Sequence, residues 1–359
     1  MSDHLALLAS VTADLSRQHV PDGSHDAGPV ATAFWDELVE LGFVTLTVPE
    51  SLSGSGGDLR DAAAVLRAAA AGAMPLSEAL FLAGPALSAA RLDWPGGIVT
   101  AAVCDDVEVH LDDTGRASVS GTVPRVPWLR EADHLVLVAE GRTGVTVLVL
   151  AADSFRAGLE TGANLAGEPR DTVRLHQAGA IAAGVVEGPC DTGWFTVLEA
   201  VGRATQIAGV GREVLELTAR HVTEREQFGR RLVAFQAVQH QLARLAESVA
   251  LVEMAADAAV LAAHDAADRA PFLGAVAKAE SSYLVRDVTA IAHQLHGAIG
   301  FTAEHRLGAL TKRLWSWREE LGNEQHWHGV LVDRLEASTG TLWELVTGVP
   351  DRIDPEETP

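Results

Sequence analysis

A chain of 359 residues is long enough to bury a large core and predicts two or three domains. Its 27 Lys+Arg stand against 49 Asp+Glu, a formal net charge of −22 whose field repels polyanions and excludes a role in tracking nucleic-acid phosphates. Cys104 and Cys190 make neither a disulfide framework nor a metal-type cluster, no signal peptide is evident, and no membrane segment is expected. Alanine-rich runs such as 62–73 are too short for a bilayer and are interrupted by Arg67, so a soluble protein in a reducing cytoplasm is expected.

Taken in chain order, the texture changes twice. From the N-terminus to about residue 95, Phe34, Leu38 and Leu41 recur at three- and four-residue steps, and Asp61–Ala71 has high helix propensity, which predicts an N-terminal helical domain over 1–95. Pro95-Gly96-Gly97 punctuates the chain. Short β-type runs follow at Ile98–Val103, Val107–Leu111, Ala117–Gly121, His134–Val138 and Val145–Leu150, with Asp112-Asp113-Thr114-Gly115 as a turn, and predict a small antiparallel β-domain over 96–190. After Asp191-Thr192-Gly193 the helical period returns. Ala204, Ile207, Ala208, Gly211 and Leu215 share one face, and 239–264 reads as a long amphipathic helix with Leu242, Leu245, Val249 and Val252 inward. Four long helices fit into 191–345 as a bundle, and the acidic, proline-containing 346–359 reads as a flexible tail. The fold class is thus mainly α with a β middle domain.

Two segments carry the functional signal. Arg225 to Gln236, with Phe228 between, puts a cation, a ring and an amide on a turn between helical runs; Gln294 to Phe301 puts Gly297, Ala298 and Gly300 where backbone can approach a ligand closely. Either alone reads as a connecting turn or a packing glycine; together they suit a buried anionic cofactor.

These motifs, with Glu40–Glu50 followed by Gly54, Gly56 and Gly57, resemble the acyl-CoA dehydrogenase family over nearly the whole chain. The resemblance implies flavin adenine dinucleotide (FAD) at a subunit interface. Arg225 matches the arginine on the pyrophosphate, a fitting role for a planar, permanently charged fork, and Phe228 the ring beside it, in a motif that closes at Gln236. Gln294, Gly297 and Ala298 match the turn against the adenosine half, and Asn323 and Gln325 stand where the family places further polar contacts, or are ordinary solvated residues.

The implied reaction is α,β-desaturation of an acyl-CoA thioester, with a carboxylate taking the α-proton as the β-hydride goes to flavin, and an electron-transfer protein as acceptor. The family's usual position for that base falls on Leu321, before Gly322-Asn323. Glu319 and Glu320 are near but displaced, whereas a subgroup with its base on an earlier helix aligns it with Glu199, which follows the apolar Trp194–Leu198 and suits a raised pKa. The plainer reading makes Glu199 a glutamate favoured near a helix start by the dipole.

In the middle domain, Ala102–Val107 replaces the family's ring-contacting Thr-Glu…Gly-Ser-Asp segment, and Pro124 and Arg125 fall on ring-contacting positions where proline donates no hydrogen bond. The ring-binding half looks altered and the adenosine half kept. This resembles the heteromeric (α2β2) actinobacterial members, many tied to steroid side-chain breakdown. The expected partner is therefore a second such subunit, or another copy in a homo-oligomer. Three readings follow: an active subunit using Glu199, a silent partner completing another chain's FAD site, and, disfavoured by the placed carboxylate, a flavin oxidase or monooxygenase. No metal site is expected, since His326 and His328 point apart on a helix. Trp315, Trp317 and Trp327 read as residues of helix packing or of a subunit interface, and Glu247 as part of a solvated face.

Overall fold

The computed structural model describes residues 3–20, 30–111, 116–188, 190–302, 304–338 and 341–347. The expected turn at Asp112–Gly115 and the tail from residue 348 onward lie outside the described residues, while Val346 and Thr347 close a short helix.

The N-terminal part is helical: α1 (Asp3–His19), α2 (Thr32–Glu40), α3 (Leu59–Ala68), α4 (Leu76–Glu78), a π-helical segment Ala79–Ala83, and α5 (Gly84–Ala89). Helix α3 starts where Asp58 and Asp61 form a reciprocal capping box that satisfies backbone N–H groups left open at its N-terminus.

Strands follow as β1 (Val99–Val103), β2 (Val107–Leu111), β3 (Ala117–Pro127), β4 (His134–Gly141) and β5 (Gly144–Ala151), then a short α6 (Ala152–Phe155), β6 (Leu159–Glu160), β7 (Arg170–Gly179) and β8 (Ala182–Val185). They make two four-stranded sheets, ordered β1-β4-β5-β8 and β2-β3-β7-β6. Pairing is antiparallel except that β1 runs parallel to β4. The first sheet is buried on both faces. Leu135, Leu137, Leu148 and Leu150 pack between the sheets, while the alternating Val136, Val138, Val147 and Val149 face the helical core. Strand β3 runs beyond the Gly121 end expected from sequence, because register shifts between Val119 and Gly121 and between Val123 and Val126 let it bend and continue.

The C-terminal part comprises α7 (Thr192–Glu224), a two-residue hairpin pair β9 (Glu226–Gln227) and β10 (Arg230–Arg231), α8 (Gln236–His264), α9 (Ala270–His296), α10 (Leu307–Glu319), α11 (Glu324–Ala337) and α12 (Leu342–Thr347). Leu245, Val249 and Val252 of α8 are buried as its periodicity predicts. Helix α7 is more than amphipathic: Val197 to Gly211 is buried without a break, which makes it the central helix. Two glycines permit that position. A Cβ on Gly202 would lie 2.7 Å from the Phe81 Cβ, and one on Gly209 would lie 2.4 Å from the Arg67 carbonyl oxygen. No helix among the described residues is long and apolar enough to cross a membrane.

Candidate active site and cofactor cradle

Glu199 sits on the second turn of α7, whose start is fixed by Asp191 accepting a hydrogen bond from the Trp194 N–H. The side chain is 6% exposed and lines a cavity of about 290 Å³. Across that cavity stand Ala102 and Val103 of β1 and Pro124–Pro127 of β3; Arg170, Arg203, Glu319, Glu320 and Leu321 complete the wall. The bulge between Val123 and Val126 presents Pro124 and Arg125 here, with Arg125 in the left-handed region at φ 54°. The altered ring-contacting segment and the candidate base therefore face one space. Its size is near the low end of small-molecule sites, roughly 300–1,000 Å³.

The electrostatics of this space are unequal. Burial pushes the Glu199 carboxyl up to about 8; the neighbouring Arg203 opposes the rise and Glu78 and Glu320 add to it. Glu320 behaves oppositely: burial alone would raise it, but the charges of Arg170 and Arg203 prevail and hold it at about 2. Glu320 accepts hydrogen bonds from the Arg170 Nε at 2.9 Å and Nη2 at 3.0 Å, and lies 3.2 Å from the Arg203 Nη2. A carboxyl held near 2 is a poor proton acceptor, and one near 8 a strong one, so the geometry favours Glu199 over Glu320. Glu319 is exposed and paired to Arg318.

Glu320 belongs to a buried ionic network that sequence reasoning missed. Arg203 donates to the Glu78 Oε1 at 2.7 Å; Arg170 also pairs with Glu168 at 3.0 Å; Glu168 accepts from the Trp317 Nε1 at 2.9 Å and lies 3.3 Å from Arg313. Glu78, Arg203, Glu168, Arg170 and Arg313 are each at most 7% exposed. The network joins the N-terminal helices, β7 and the C-terminal helices around the cavity. A detectable signal existed in Arg203, the one charge within the apolar 200–211 run, and in Glu78 between Met74 and Ala83. Lys278, wholly buried, donates to the Ser282 Oγ and to the carbonyls of Arg318 and Gly322, tying down the turn that carries Glu320 and Leu321. Burial, aided by the charge of Arg203, lowers Lys278 to about 7.

The second motif group assembles elsewhere on the surface. A cavity of about 430 Å³ is lined by His221, Arg225, Gln227, Gln294, His296 and Gly297 among others, and one of about 410 Å³ on the other side of Gln294 and Gly297 is lined by His293, Phe301 and Trp315. The Arg225 side chain is exposed at the end of α7, with no hydrogen bond or ion pair from its guanidinium among the described residues. Phe228, at the tip of the β9–β10 hairpin, is 90% exposed. Nothing lies within 4 Å of a Cβ placed on Gly297, whose φ is +63°. Burial lowers His296 to about 4, leaving a neutral ring stacked 4.4 Å from His221.

The other expected cofactor residues are less well placed. Gln236 is the exposed first residue of α8, and Ala298 is exposed in the Gly297–Phe301 turn; neither lines the two cavities. Asn323 is committed to capping α11, its Oδ1 accepting from the backbone N–H of Gln325 and, weakly, of His326, while Gln325 is exposed. Trp317 and Trp327 are buried as expected, and Glu247 is exposed. Among the described residues no group of three metal-binding side chains exists.

A mostly helical chain with a β middle layer, a buried carboxyl facing a cavity and an open cationic cradle defines a class, and the comparisons agree. The acyl-CoA dehydrogenase N-terminal domain model matches residues 2–91 and the C-terminal domain model residues 193–328, together more than half of the chain. The chain belongs to the acyl-CoA dehydrogenase family, whose cofactor is FAD. It is 26% identical over 333 residues to the acyl-CoA dehydrogenase IpdE2 of Mycolicibacterium smegmatis, covering 90% of this chain and 96% of that protein. It is 31% identical over 232 residues to FadE27 of Mycobacterium tuberculosis, covering 58% and 61%. Among solved structures, the ChsE4-ChsE5 complex from Mycobacterium tuberculosis has a chain that superposes with TM-score 0.82 at 22% identity, over 95% of this chain and 99% of that one. Butyryl-CoA dehydrogenase from Megasphaera elsdenii superposes with TM-score 0.81 at 17% identity, over 94% and 99%.

The residues present fit the two halves of FAD unequally. Arg225, without a partner for its guanidinium among the described residues, open Gly297 and exposed Phe228 suit its pyrophosphate and adenosine. On the ring side there is a cavity, but Pro124 and Pro127 carry no N–H, and that of Arg125 is spent on the Thr172 Oγ1 at 3.3 Å.

Proposed function

We propose that this chain is an acyl-CoA dehydrogenase subunit that desaturates the α,β-bond of an acyl-CoA thioester, with Glu199 as the base. The observation that carries this reading is the pairing, across one cavity, of the β3 bulge with a buried carboxyl that makes no hydrogen bond or ion pair among the described residues. An ionised Glu199 takes the α-proton onto a carboxylate oxygen, the C–H electron pair becomes the new α,β π-bond, and the β-hydrogen leaves with its pair. Bound FAD supplies the acceptor for that hydride. Arg225, Phe228, Gln294 and Gly297 hold the adenosine and pyrophosphate half, presented to a site shared with a neighbouring chain; Ala298, Gln236, Asn323 and Gln325 are peripheral to it.

The neighbour proposed is a second subunit of the same family. A ring exposed to 90%, as Phe228 is, beside an unpaired arginine argues for a surface covered on assembly, and one structural neighbour is a two-protein complex. Another structural neighbour, Tcur3481-Tcur3483, is a steroid acyl-CoA dehydrogenase, which supports a bulky ring-bearing acyl group. The donor-poor ring side favours a second reading, in which this chain is a silent partner that completes the FAD site of the other subunit. Replacing Glu199→Gln in the assembled complex decides between them. The first reading expects turnover to fall roughly 10²–10⁴-fold with flavin content retained; an undiminished rate would leave the silent-partner reading standing.

A further inference from the structure

Four histidines cluster at the C-terminal end of α7, away from Glu199. His221 of α7 stacks on His296 of α9 at 4.4 Å, His305 stands edge-on to His296 at 4.9 Å, and His293, one turn back along α9, stacks on Phe301. Three of these rings are committed. His296 Nδ1 lies 2.8 Å from the Ala292 carbonyl oxygen, His293 Nε2 lies 3.0 Å from the Thr311 Oγ1, and His305 Nδ1 accepts from the Leu307 N–H at 3.2 Å. The other ring nitrogens of His293 and His296 are sealed inside the fold.

His221 differs on each count. It is half-buried and lines the cavity of about 430 Å³, its ring nitrogens are not sealed, and it has no hydrogen bond or ion pair among the described residues. Arg225 lines the same cavity. The Arg225 backbone N–H closes the last hydrogen bond of α7 onto the His221 carbonyl at 2.9 Å, so the two side chains leave the helix one turn apart on one face.

Burial lowers the His221 ring below its usual value, the neighbouring His305 and Arg225 lower it further, and Glu224 opposes them. His296, lowered to about 4, stays neutral against it. The hairpin and α8 bring Gln227, Leu232, Ala237, Val238 and Gln241 to the cavity, none of them titratable, while Arg230 and Arg231 of the hairpin are exposed and do not line it. Glu213, two turns back on α7, pairs with Arg306. An anion held between Arg225 and His221 reverses this balance. It offsets the arginine's charge and gives an imidazolium a partner, so the ring holds a proton more tightly with the anion bound than without it.

Resting on the reading of Arg225 as a pyrophosphate contact, we propose that His221 is a second contact to that pyrophosphate, neutral in the open cradle and protonated when the cofactor is bound. FAD binding is then coupled to proton uptake, and the cradle holds its cofactor more firmly as pH falls. The bound ring has the higher pKa, so the gain in affinity is complete below the free value and is lost as pH rises through the bound one.

The test titrates FAD into the assembled complex, stripped of flavin, at pH 6 and at pH 8. Flavin fluorescence gives the affinity, and calorimetry in buffers of different ionisation heat gives the protons taken up. FAD suits the purpose because its pyrophosphate neither gains nor loses a proton in that range. Wild type is expected to bind roughly tenfold more tightly at pH 6, with net proton uptake. In His221→Gln, which keeps a neutral donor, the ratio should fall toward one and the uptake should vanish; His305→Gln, which removes a ring outside the cavity, should keep both. Each ratio is taken within one protein, so it does not depend on the fraction folded. Equal wild-type affinity at the two pH values, or a difference that survives in His221→Gln, overturns the proposal. Arg225→Ala tests the underlying reading separately. Weaker binding at both pH values upholds Arg225 as a contact, and unchanged binding removes it from the site; in either case loss of the proton uptake in His221→Gln supports His221, and its persistence overturns it. A complex that binds no FAD overturns both.

Discussion

Two glutamates in one cavity wall differ in what surrounds their carboxyls. Glu320 is gripped by two guanidiniums and an asparagine amide, whereas Glu199 is buried with no hydrogen-bond or ion-pair partner among the described residues. Because Glu199 must be ionised to accept a proton, kcat/KM should rise with pH and level off above about 8; a profile flat from pH 6 to 9 would speak against it. Stability should move the other way. The folded value of about 8 exceeds the unfolded 4.5, so the native state binds the Glu199 proton more tightly. Its contribution is complete below about pH 4.5 and is lost as pH rises through 8. Glu199→Gln, which cannot ionise, should therefore melt higher than wild type at pH 9 and close to it at pH 4, as read by thermal unfolding; the same difference at both pH values would contradict the assigned burial. Glu199 was legible before the structure only through family register and the apolar run preceding it. Arg203 went unread because its partners, Glu78 and Glu320, lie more than a hundred residues away on either side in sequence, and no local pattern encodes such a pairing.

At the level of elements, the site depends on α7 being central and on β3 continuing past a bulge. Helical periodicity identifies α7 as a helix but assigns it one inward face; burial on all sides depends on contacts that Gly202 and Gly209 permit with other elements. The bulge was equally hidden: the strand expected from sequence stops at Gly121, short of Pro124 and Arg125, where β3 leaves its ladder and resumes. Strand β7 escaped notice because its Arg170, Asp171, Arg174 and His176 break the apolar alternation, and two of these, Arg170 and Asp171, are buried in ion pairs. The network through Arg170 should carry much of the junction between the β layers and the helices. Truncating Arg170→Met leaves Glu168 and Glu320 buried with weakened pairing, and should lower stability by about 3–5 kcal/mol in chemical denaturation. A loss below about 1 kcal/mol would mean that water reaches those carboxylates.

For the whole molecule, the two motif groups lie apart: Glu199 and the β3 bulge around one cavity, and Arg225, Gln294 and Gly297 around others. A single FAD is then expected to be held by two chains, in keeping with an exposed Phe228 and an Arg225 whose guanidinium has no partner among the described residues. The motifs carry this expectation in sequence; they do not carry the choice of neighbour, since an exposed surface does not state what covers it. Arg225→Ala should reduce bound flavin per assembled complex by at least roughly tenfold in affinity, as expected for a lost charge-assisted phosphate contact, while leaving the fold intact by circular dichroism. Unchanged flavin content would remove Arg225 from the cofactor site. The most direct test of Glu199 as the base is deuterium incorporation at the α-carbon of a bound acyl-CoA in D2O, measured on the assembled complex without an electron acceptor. The account predicts exchange in wild type and its loss in Glu199→Gln; exchange that continues in the variant would place the base on another residue or another chain.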